Sequence, residues 1–380
     1  MEKVMVPKLR FPEFGNEWET IKFKDFCFFQ RGFDLTEKNR KEGEVPVISS
    51  SGIAYWHNIA KVEGPGIVTG RKGIVGKVFY TEGDFWPHDT TLWVKDYYSN
   101  SLKYVYQFLL RFDLKKYDAS TSVPTLNRNN IHGIKIQIPS LPEQQKIATF
   151  LGKVDEKISA LEEKKRLLEQ YKKGVMQQLF SQQIRFKDED GNDFPAWEEK
   201  KIKDVGKVVT GNTPSTKNQE YYNGDYFFVS PFDIGSKRFI LKTKTTLTKQ
   251  GFSKGRIIPK DSVLFVCIGS TIGKVGQASR DCITNQQINS VISHVDSSPH
   301  YLFFLLEKNA LKIKKLAGEQ AVPLINKTDF ENIKLPFPTL PEQQKIASFL
   351  SAIDDKIAGV GEQLAQSRAF KKGLLQGMFV

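Results

Sequence analysis

The chain is 380 residues long and carries a formal net charge of +13 at pH 7, which favours an anionic polymer or surface as its partner. Its three cysteines, Cys27, Cys267 and Cys282, lack zinc-ligand spacing and form no disulfide framework, so a reducing cytosol is expected. The most apolar run, at residues 301–306, is too short to cross a bilayer, and membrane insertion is excluded.

The chain begins with a turn-rich region of mixed α and β character, and a second region of the same kind follows later. One helix is predicted in each, around residues 102–112 and around residues 300–316. Strands are predicted at residues 45–49, 66–70, 75–80 and 261–269. Because regular βαβ alternation is missing, the pattern predicts α+β domains rather than a doubly wound sheet.

A long helix is predicted directly after each region. Ser140-Leu-Pro-Glu143 and Thr339-Leu-Pro-Glu342 both fit a capping box, in which the glutamate reaches back to the start of the helix. Beyond each cap, a seam of two companion series repeats every seven residues, as in a coiled coil. The first helix carries Ile147, Val154, Leu161, Leu168 and Val175 with Leu151, Ile158, Lys165, Lys172 and Leu179, and the second carries Ile346, Ile353, Val360, Ser367 and Leu374 with Leu350, Ile357, Leu364, Lys371 and Met378.

The two seams are expected to bury each other within one chain, with pairing between two chains as the alternative. An approximate two-fold relation would make the helices antiparallel and place the globular regions at opposite ends. Each helix would be about 50 Å long, which on B-DNA is about one helical turn or slightly more. Polar residues interrupt the seam at Lys165, Lys172, Ser367 and Lys371. They either snorkel from frayed ends of the seam or form a docking surface for partner subunits.

The chain is an internal duplication. Residues 141–158 return at 340–357 with 13 of 18 positions identical, and the offset of 199 residues holds from residue 122 to the end of the first helix. The second copy carries about 20 extra residues, nearly all of them between Asp204 and Gly273. The predicted domains are therefore 1–139 and 182–338, with spacer helices at 140–181 and 339–380.

No catalytic or metal-binding motif is recognised. The loops at 70–78 and 269–275 resemble phosphate loops, but a valine follows the lysine where a magnesium-binding hydroxyl is required. Dinucleotide, methyltransferase and nuclease motifs are missing, and the five histidines share no position in the repeat. The sequence therefore predicts a binding protein without an active site.

The chain resembles the DNA specificity subunit of bacterial Type I restriction-modification enzymes over residues 7–380. The resemblance depends on the LPEQQKI helix starts at 141 and 340, the loops GRKGIVGK and GSTIGKV, and the TGNTPS run at 210–215. The first copy departs from that run, reading QRGFDLTEK at 30–38, so no shared role is transferred to it.

The resemblance implies two pseudo-symmetric target recognition domains separated by a pair of long antiparallel coiled-coil helices. Each domain would read one half of a bipartite, asymmetric site in double-stranded DNA. The helices would set the spacer and dock two methyltransferase subunits, with restriction and translocase subunits in the full complex. No cofactor is expected in this chain, since S-adenosylmethionine, ATP and Mg would bind the partners. A cytoplasmic, bacterial location is expected.

The residues predicted to contact DNA combine polar and basic side chains suited to base edges. In the first domain they are Arg71, Lys72, His88, Asp89, Thr90, Thr91, Ser120, Thr121, Ser122, Asn127 and Arg128. In the second they are Ser270, Thr271, Lys274, Asn285, Gln286, Gln287, Glu319 and Gln320. Asn127 coincides with Asn326 in the repeat, which is more typical of a structural turn residue.

Two other classes of function remain open from the sequence. One is an enzyme, either a fused restriction enzyme or a standalone methyltransferase, against which the missing motifs argue. The other is a non-catalytic coiled-coil scaffold or adaptor protein that organises unrelated partners. Specific DNA binding that depends on both domains would distinguish the specificity subunit from the adaptor.

Overall fold

The computed structural model describes residues 6–118, 123–235, 237–318 and 322–380. The chain divides into two compact units. Unit 1 comprises Met1–Lys164 together with Val360–Val380, and unit 2 comprises Lys165–Gly359. Each unit therefore combines one globular region with a part of each long helix.

Unit 1 folds as small sheets with short helices. Its strands are β1 (Glu19–Lys22), β2 (Phe28–Arg31), β3 (Val45–Ser49), β4 (Gly52–His57), β5 (Gly66–Gly70), β6 (Val78–Thr81), β7 (Trp86–Pro87), β8 (Thr91–Asp96) and β9 (Lys135–Ile138). Its helices are α1 (Phe23–Phe26), α2 (Leu102–Arg111), α3 (Asn129–His132) and the beginning of α4 (Leu141–Phe180). The sheet orders are β1-β9, β2-β8-β5-β6 and β4-β3-β7, with parallel pairing between β3 and β7.

Unit 2 repeats this construction. Its strands are β10 (Glu198–Lys201), β11 (Gly206–Thr210), β12 (Tyr222–Val229), β13 (Phe239–Ile240), β14 (Thr245–Leu247), β15 (Val263–Val266), β16 (Val275–Ala278), β17 (Cys282–Thr284), β18 (Ile288–Ser293) and β19 (Lys334–Phe337). Its helices are α5 (Ile202–Val205), α6 (Lys249–Phe252), α7 (Pro299–Lys314), α8 (Lys327–Glu331) and the first half of α9 (Leu340–Met378). The sheet orders are β10-β19, β11-β18-β15-β16-β13 and β14-β12-β17.

The two units match sheet for sheet, and this confirms the predicted duplication and the α+β fold class. The parallel pair β3 and β7 corresponds to the parallel pair β12 and β17. Strand β13 and helix α6 have no counterpart in unit 1, and both fall within the predicted insertion.

Local backbone geometry explains where the predicted strands were too long. Strand β6 begins at Val78 rather than at residue 75, because Gly76 has a φ of +76° that interrupts extended structure. Strand β15 is limited to Val263–Val266, because Asp261 and Gly269 on either side have φ values of +67° and +90°. The predicted strands at 45–49 and 66–70 and the helix that became α2 are confirmed.

Both long helices pack into the hydrophobic core of a unit. In unit 1, Ile147 and Leu151 of α4 share a core with Leu374 and Met378 of α9. In unit 2, Val175, Met176 and Leu179 of α4 share a core with Ile346, Leu350 and Ile353 of α9. Every residue that the heptad repeat predicts at the seam is buried or half-buried.

The lysines within the seam form ion pairs between the helices. In unit 1, Lys371 Nζ lies 2.6 Å from Asp155 Oδ1, and Arg368 lies 2.6 Å from Glu162. Residue numbers rise along one helix as they fall along the other, so the helices are antiparallel here. In unit 2, Lys172 Nζ lies 2.8 Å from Asp354 Oδ1. Lys172 and Lys371 are therefore bound within the protein, and both the snorkelling and the docking interpretation were wrong for them.

The predicted capping boxes are replaced by buried ion pairs. In unit 1, Arg10 donates from Nε and Nη2 to the two carboxylate oxygens of Glu143, both at 2.8 Å. In unit 2, Arg185 donates in the same way to Glu342, at 3.0 and 2.7 Å. Both glutamates are buried. Each therefore fixes an arginine near the beginning of its domain to the start of a helix instead of reaching back to its own backbone.

Among the described residues, no helix is both long and apolar enough to cross a membrane.

Candidate nucleic-acid interface

In unit 1, the loop after β5 and the turn before β8 lie against each other. The backbone amides of Arg71 and Lys72 both donate to the Thr90 carbonyl oxygen, at 2.9 and 3.0 Å. Arg71 Nη1 also donates to the Asp89 carbonyl oxygen at 3.4 Å. Thr91 lies beneath this surface, since it is buried and its hydroxyl donates to the His88 carbonyl oxygen at 2.6 Å. The structure thus brings together six of the predicted residues, with Thr91 holding the turn.

Arg31 at the end of β2 belongs to the same cluster and was missed by the sequence analysis. Its Nη2 lies 3.3 Å from Asp89 Oδ2, and His88 Nδ1 lies 2.9 Å from Asp89 Oδ1. Burial lowers the pKa of Arg71, and the positive charge of Arg31 lowers it further. The sequence offered one signal for Arg31, its position: it aligns with Thr210, the first residue of the TGNTPS run in the second copy.

A group of possible metal ligands lies at the same place. Potential ligand atoms of Asp34, His88 and Asp89 are all within 4.8 Å of one another. The guanidinium of Arg31 already compensates the Asp89 carboxylate. This grouping therefore fits a network of side chains that fixes Arg31 at the surface.

The remaining predicted residues of unit 1 make other contacts or lie outside the described residues. Asn127 Oδ1 accepts a hydrogen bond from the Asn129 amide at 3.0 Å, as expected for a turn residue. Arg128 donates to the Phe29 carbonyl oxygen at 3.4 Å and lies over the Phe28 ring. Its side chain is directed to β2. Ser120, Thr121 and Ser122 lie outside the described residues.

In unit 2, the loop after β15 and the turn after β17 form the corresponding cluster. The Cys267 amide donates to the Gln287 carbonyl oxygen at 2.8 Å, and a Cβ on Gly269 would lie 3.6 Å from Gln287 Nε2, so the start of the loop lies against the turn. Ser270 and Thr271 follow in this loop. Asn285 Nδ2 donates to Gln287 Oε1 at 2.9 Å, so these two amides fix each other. Lys274 donates to the Pro231 carbonyl oxygen at 3.1 Å and is half-buried. Glu319 and Gln320 lie outside the described residues.

The TGNTPS loop of unit 2 connects the turn after β17 to a basic segment. Thr213 Oγ1 donates to Gln286 Oε1 at 2.8 Å. Asn212 donates to the Lys254 carbonyl oxygen at 3.1 Å and accepts from the Arg256 amide at 2.8 Å. Arg256 Nη1 donates in turn to the Thr210 carbonyl oxygen at 2.7 Å. Neither Lys254 nor Arg256 was predicted from the sequence, although both lie in a basic segment between Asp204 and Gly273.

The segment at residues 237–260, which contains part of the insertion, is strongly basic. Residues 237–260 contain no Asp or Glu. The exposed basic residues of this segment are Lys237, Lys242, Lys244, Lys249, Lys254, Arg256 and Lys260. Exposed lysines and arginines of this density are typical of surfaces that contact phosphates.

The cysteines of the chain carry no reactive chemistry. Burial raises the pKa of Cys267 and of Cys282 to about 12, and it raises the pKa of Cys27 well above its usual value. All three are buried and unpaired with one another, as free cysteines. They behave as small hydrophobic residues of the core.

Comparisons with known proteins identify the family. The model of the Type I restriction modification DNA specificity domain matches residues 15–170 and again residues 196–366. The specificity subunit of the MjaIX Type I restriction enzyme from Methanocaldococcus jannaschii is 31% identical over 48% of this chain, and the match spans 44% of that relative. The MjaVIII specificity subunit from the same organism is 24% identical over 97% of this chain and 92% of its own length.

A solved structure has the same fold. The S subunit of a Type I restriction-modification system from M. genitalium aligns with a TM-score of 0.71 at 15% identity, over 99% of both chains. Since the family model matches both copies and most of the residues, the chain belongs to the Type I restriction-modification DNA specificity family.

Proposed function

We propose that this chain is the sequence-specific DNA-binding subunit of a Type I restriction-modification complex. Each unit would read one half of a bipartite, asymmetric site. One observation carries the proposal: the same turn in the two copies presents different polar side chains, His88, Asp89 and Thr90 in unit 1 and Asn285, Gln286 and Gln287 in unit 2. Different hydrogen-bonding groups on one framework are what two different half-sites require.

The long helices would set the distance between the half-sites and dock two methyltransferase subunits. Helix α4 has 40 residues and is therefore about 60 Å long. Tyr171 and Phe370 occupy equivalent positions in the repeat, and both are exposed. Exposed aromatic side chains on a helix surface are typical of protein interfaces. They support docking at these positions, in place of the seam lysines.

Chemistry would belong to the partner subunits. Methyl transfer would use S-adenosylmethionine on the methyltransferase subunits, and ATP and Mg would serve the restriction and translocase subunits. The surface of this chain offers hydrogen-bond donors, acceptors and positive charge, which are the groups of a recognition protein.

Mapping modified bases tests the proposal directly. DNA would be sequenced from cells that express the chain with its methyltransferase, and from cells that lack the chain. We expect methylated adenines confined to one split, asymmetric motif. Arg71→Ala should relax one half of that motif and leave the other half unchanged. Methylation that is independent of the chain, despite a confirmed complex with the methyltransferase, would instead support the adaptor function.

A further inference from the structure

The loop that follows the first strand of the larger sheet occupies the same place in both units, although its sequence differs. The loops are Gly32–Asp34 after β2 and Gly211–Thr213 after β11, and in the aligned copies they share only the glycine. The Gly32 amide donates to the Thr91 carbonyl oxygen at 3.0 Å, and the Gly211 amide donates to the Ile288 carbonyl oxygen at 3.1 Å.

Close packing explains why the glycine is the shared residue. A Cβ on Gly32 would lie 2.1 Å from the His88 carbonyl oxygen. A Cβ on Gly211 would lie 2.2 Å from the Thr284 carbonyl oxygen and 2.3 Å from that of Asn285. Since only glycine fits, the backbone of each loop lies directly against the turn that carries the predicted base-reading residues.

The residue two positions after the glycine then meets the tip of that turn. In unit 1, this residue is Asp34, whose carboxylate lies within 4.8 Å of the ligand atoms of His88 and Asp89. In unit 2, it is Thr213, whose hydroxyl donates to Gln286 Oε1 at 2.8 Å. The two copies thus place different side chains at one position beside the same point of the turn.

We propose that Thr213 is a positioning residue for sequence recognition in unit 2, and that Gln286 is the base-reading residue it orients. This inference rests on the proposed function. A glutamine amide has one acceptor oxygen and two N–H donors. Because Thr213 donates to the oxygen, the two Nε2 hydrogens are the groups that the exposed Gln286 would offer to a base. They suit an acceptor on the major-groove edge, such as a purine N7, guanine O6 or thymine O4. Cytosine offers only a donor there, so Gln286 disfavours cytosine at the base it contacts.

The test uses the full chain in complex with its methyltransferase partner. The probe is a set of duplexes in which each base pair of the recognised site is varied in turn, and relative affinities are measured by competition. For the wild type, we expect about tenfold discrimination against cytosine at the base that Gln286 contacts. Thr213→Val should reduce this discrimination by about two- to tenfold at that base pair alone, because that factor is the usual net contribution of one hydrogen bond.

Two further variants separate positioning from general structural effects. Thr213→Ser keeps the hydroxyl and should retain wild-type preference, and the exposed Thr216 in the same segment supplies Thr216→Val as a matched control. Gln286→Glu keeps the acceptor for Thr213 but removes the donors, so preference at the same base pair should shift towards cytosine, whose amino group a carboxylate accepts.

The outcomes distinguish the inference from the proposed function. The inference is overturned if Thr213→Val weakens binding to all duplexes evenly, or if Thr213 and Gln286 variants affect different base pairs. It is also overturned if Gln286→Glu leaves every preference unchanged while the wild type still recognises a split site. A wild-type complex that binds all duplexes equally would overturn the proposed function itself.

Discussion

The two units differ least where they attach to the long helices and most where they face outward. In both, the glutamate of the LPEQQKI run binds an arginine, and the first glutamine binds the recognition domain. Gln144 accepts from the Ser101 amide at 3.0 Å, and Gln343 accepts from the Ser298 amide at 2.9 Å. These serines cap α2 and α7. The repeated run is therefore a set of contacts that joins each helix start to its domain.

The attachments differ in how many donors reach the glutamate. In unit 2, Trp197 Nε1 also donates to Glu342 Oε2, at 3.0 Å. In unit 1, Trp18 Nε1 is buried and has no hydrogen-bond partner among the described residues.

Unit 2 also has Arg238, which donates to Ser351 of α9 at 2.7 Å and lies over the rings of Phe303 and Phe304. The insertion thus gives unit 2 an additional attachment to its helix.

The largest effect should come from removing the arginine of an attachment. Arg10→Met would leave the buried Glu143 carboxylate without its two donors, which should lower the free energy of unfolding by about 3 kcal/mol. Arg185→Met should cost less, because Trp197 still donates to Glu342. Denaturant unfolding of the full chain, followed by tryptophan fluorescence and by circular dichroism, would measure both.

Arg10→Lys and Arg185→Lys are the matched controls for this comparison. Each keeps the charge but loses the two parallel hydrogen bonds of a guanidinium. The free energy of unfolding of each lysine variant should therefore lie between those of the wild type and the methionine variant. A larger loss for Arg185→Met than for Arg10→Met would contradict the proposed role of Trp197.

The sequence predicted the long helices but not the contacts that attach them to the domains. The helices, their seam and the duplication were predicted because heptad spacing and the 199-residue offset are local, regular signals. The Arg10 and Glu143 pair was missed because 133 residues separate the partners, and a nearby capping box offered a simpler role for the glutamate. The equivalence of the Gly32 and Gly211 loops was missed because backbone packing preserves it while the neighbouring side chains differ.

A smaller effect should come from exchanging the charges of the seam ion pairs. Asp155→Lys would place a second lysine opposite Lys371, and we expect a loss of about 1 kcal/mol in the free energy of unfolding, because the pair is partly exposed. The double variant Asp155→Lys with Lys371→Asp should recover most of it. The coupling would be obtained from a double-mutant cycle by denaturant unfolding.

The corresponding exchange in unit 2 should recover less. Lys172 contacts Glu307 at 3.2 Å as well as Asp354, so an aspartate at position 172 would face the Glu307 carboxylate. Equal recovery in the two units would show that the contact with Glu307 contributes nothing to stability.

The smallest effect should be a pH dependence centred on His132 of unit 1. Its Nε2 accepts the Phe29 amide at 3.2 Å, which requires an unprotonated nitrogen. Burial lowers the pKa of His132 below its ordinary value of 6.5, and the charges of Arg128 and Lys24 lower it further. The unfolded state then binds a proton more readily than the folded state. The stabilisation that the neutral His132 imidazole provides is fully present above pH 6.5. It is lost as the pH falls from there through the folded-state pKa.

Substitution of His132 should therefore make the free energy of unfolding depend less on pH, in addition to any constant loss of stability. Between pH 7 and pH 5, the wild type should lose more unfolding free energy than His132→Gln, which has no titratable group at this position. His294→Gln, at an exposed position in unit 2, is the control and should follow the wild-type profile. Parallel profiles for the wild type and His132→Gln would show that the contact between His132 and β2 does not depend on protonation. Unit 1 would then respond to acid through other groups.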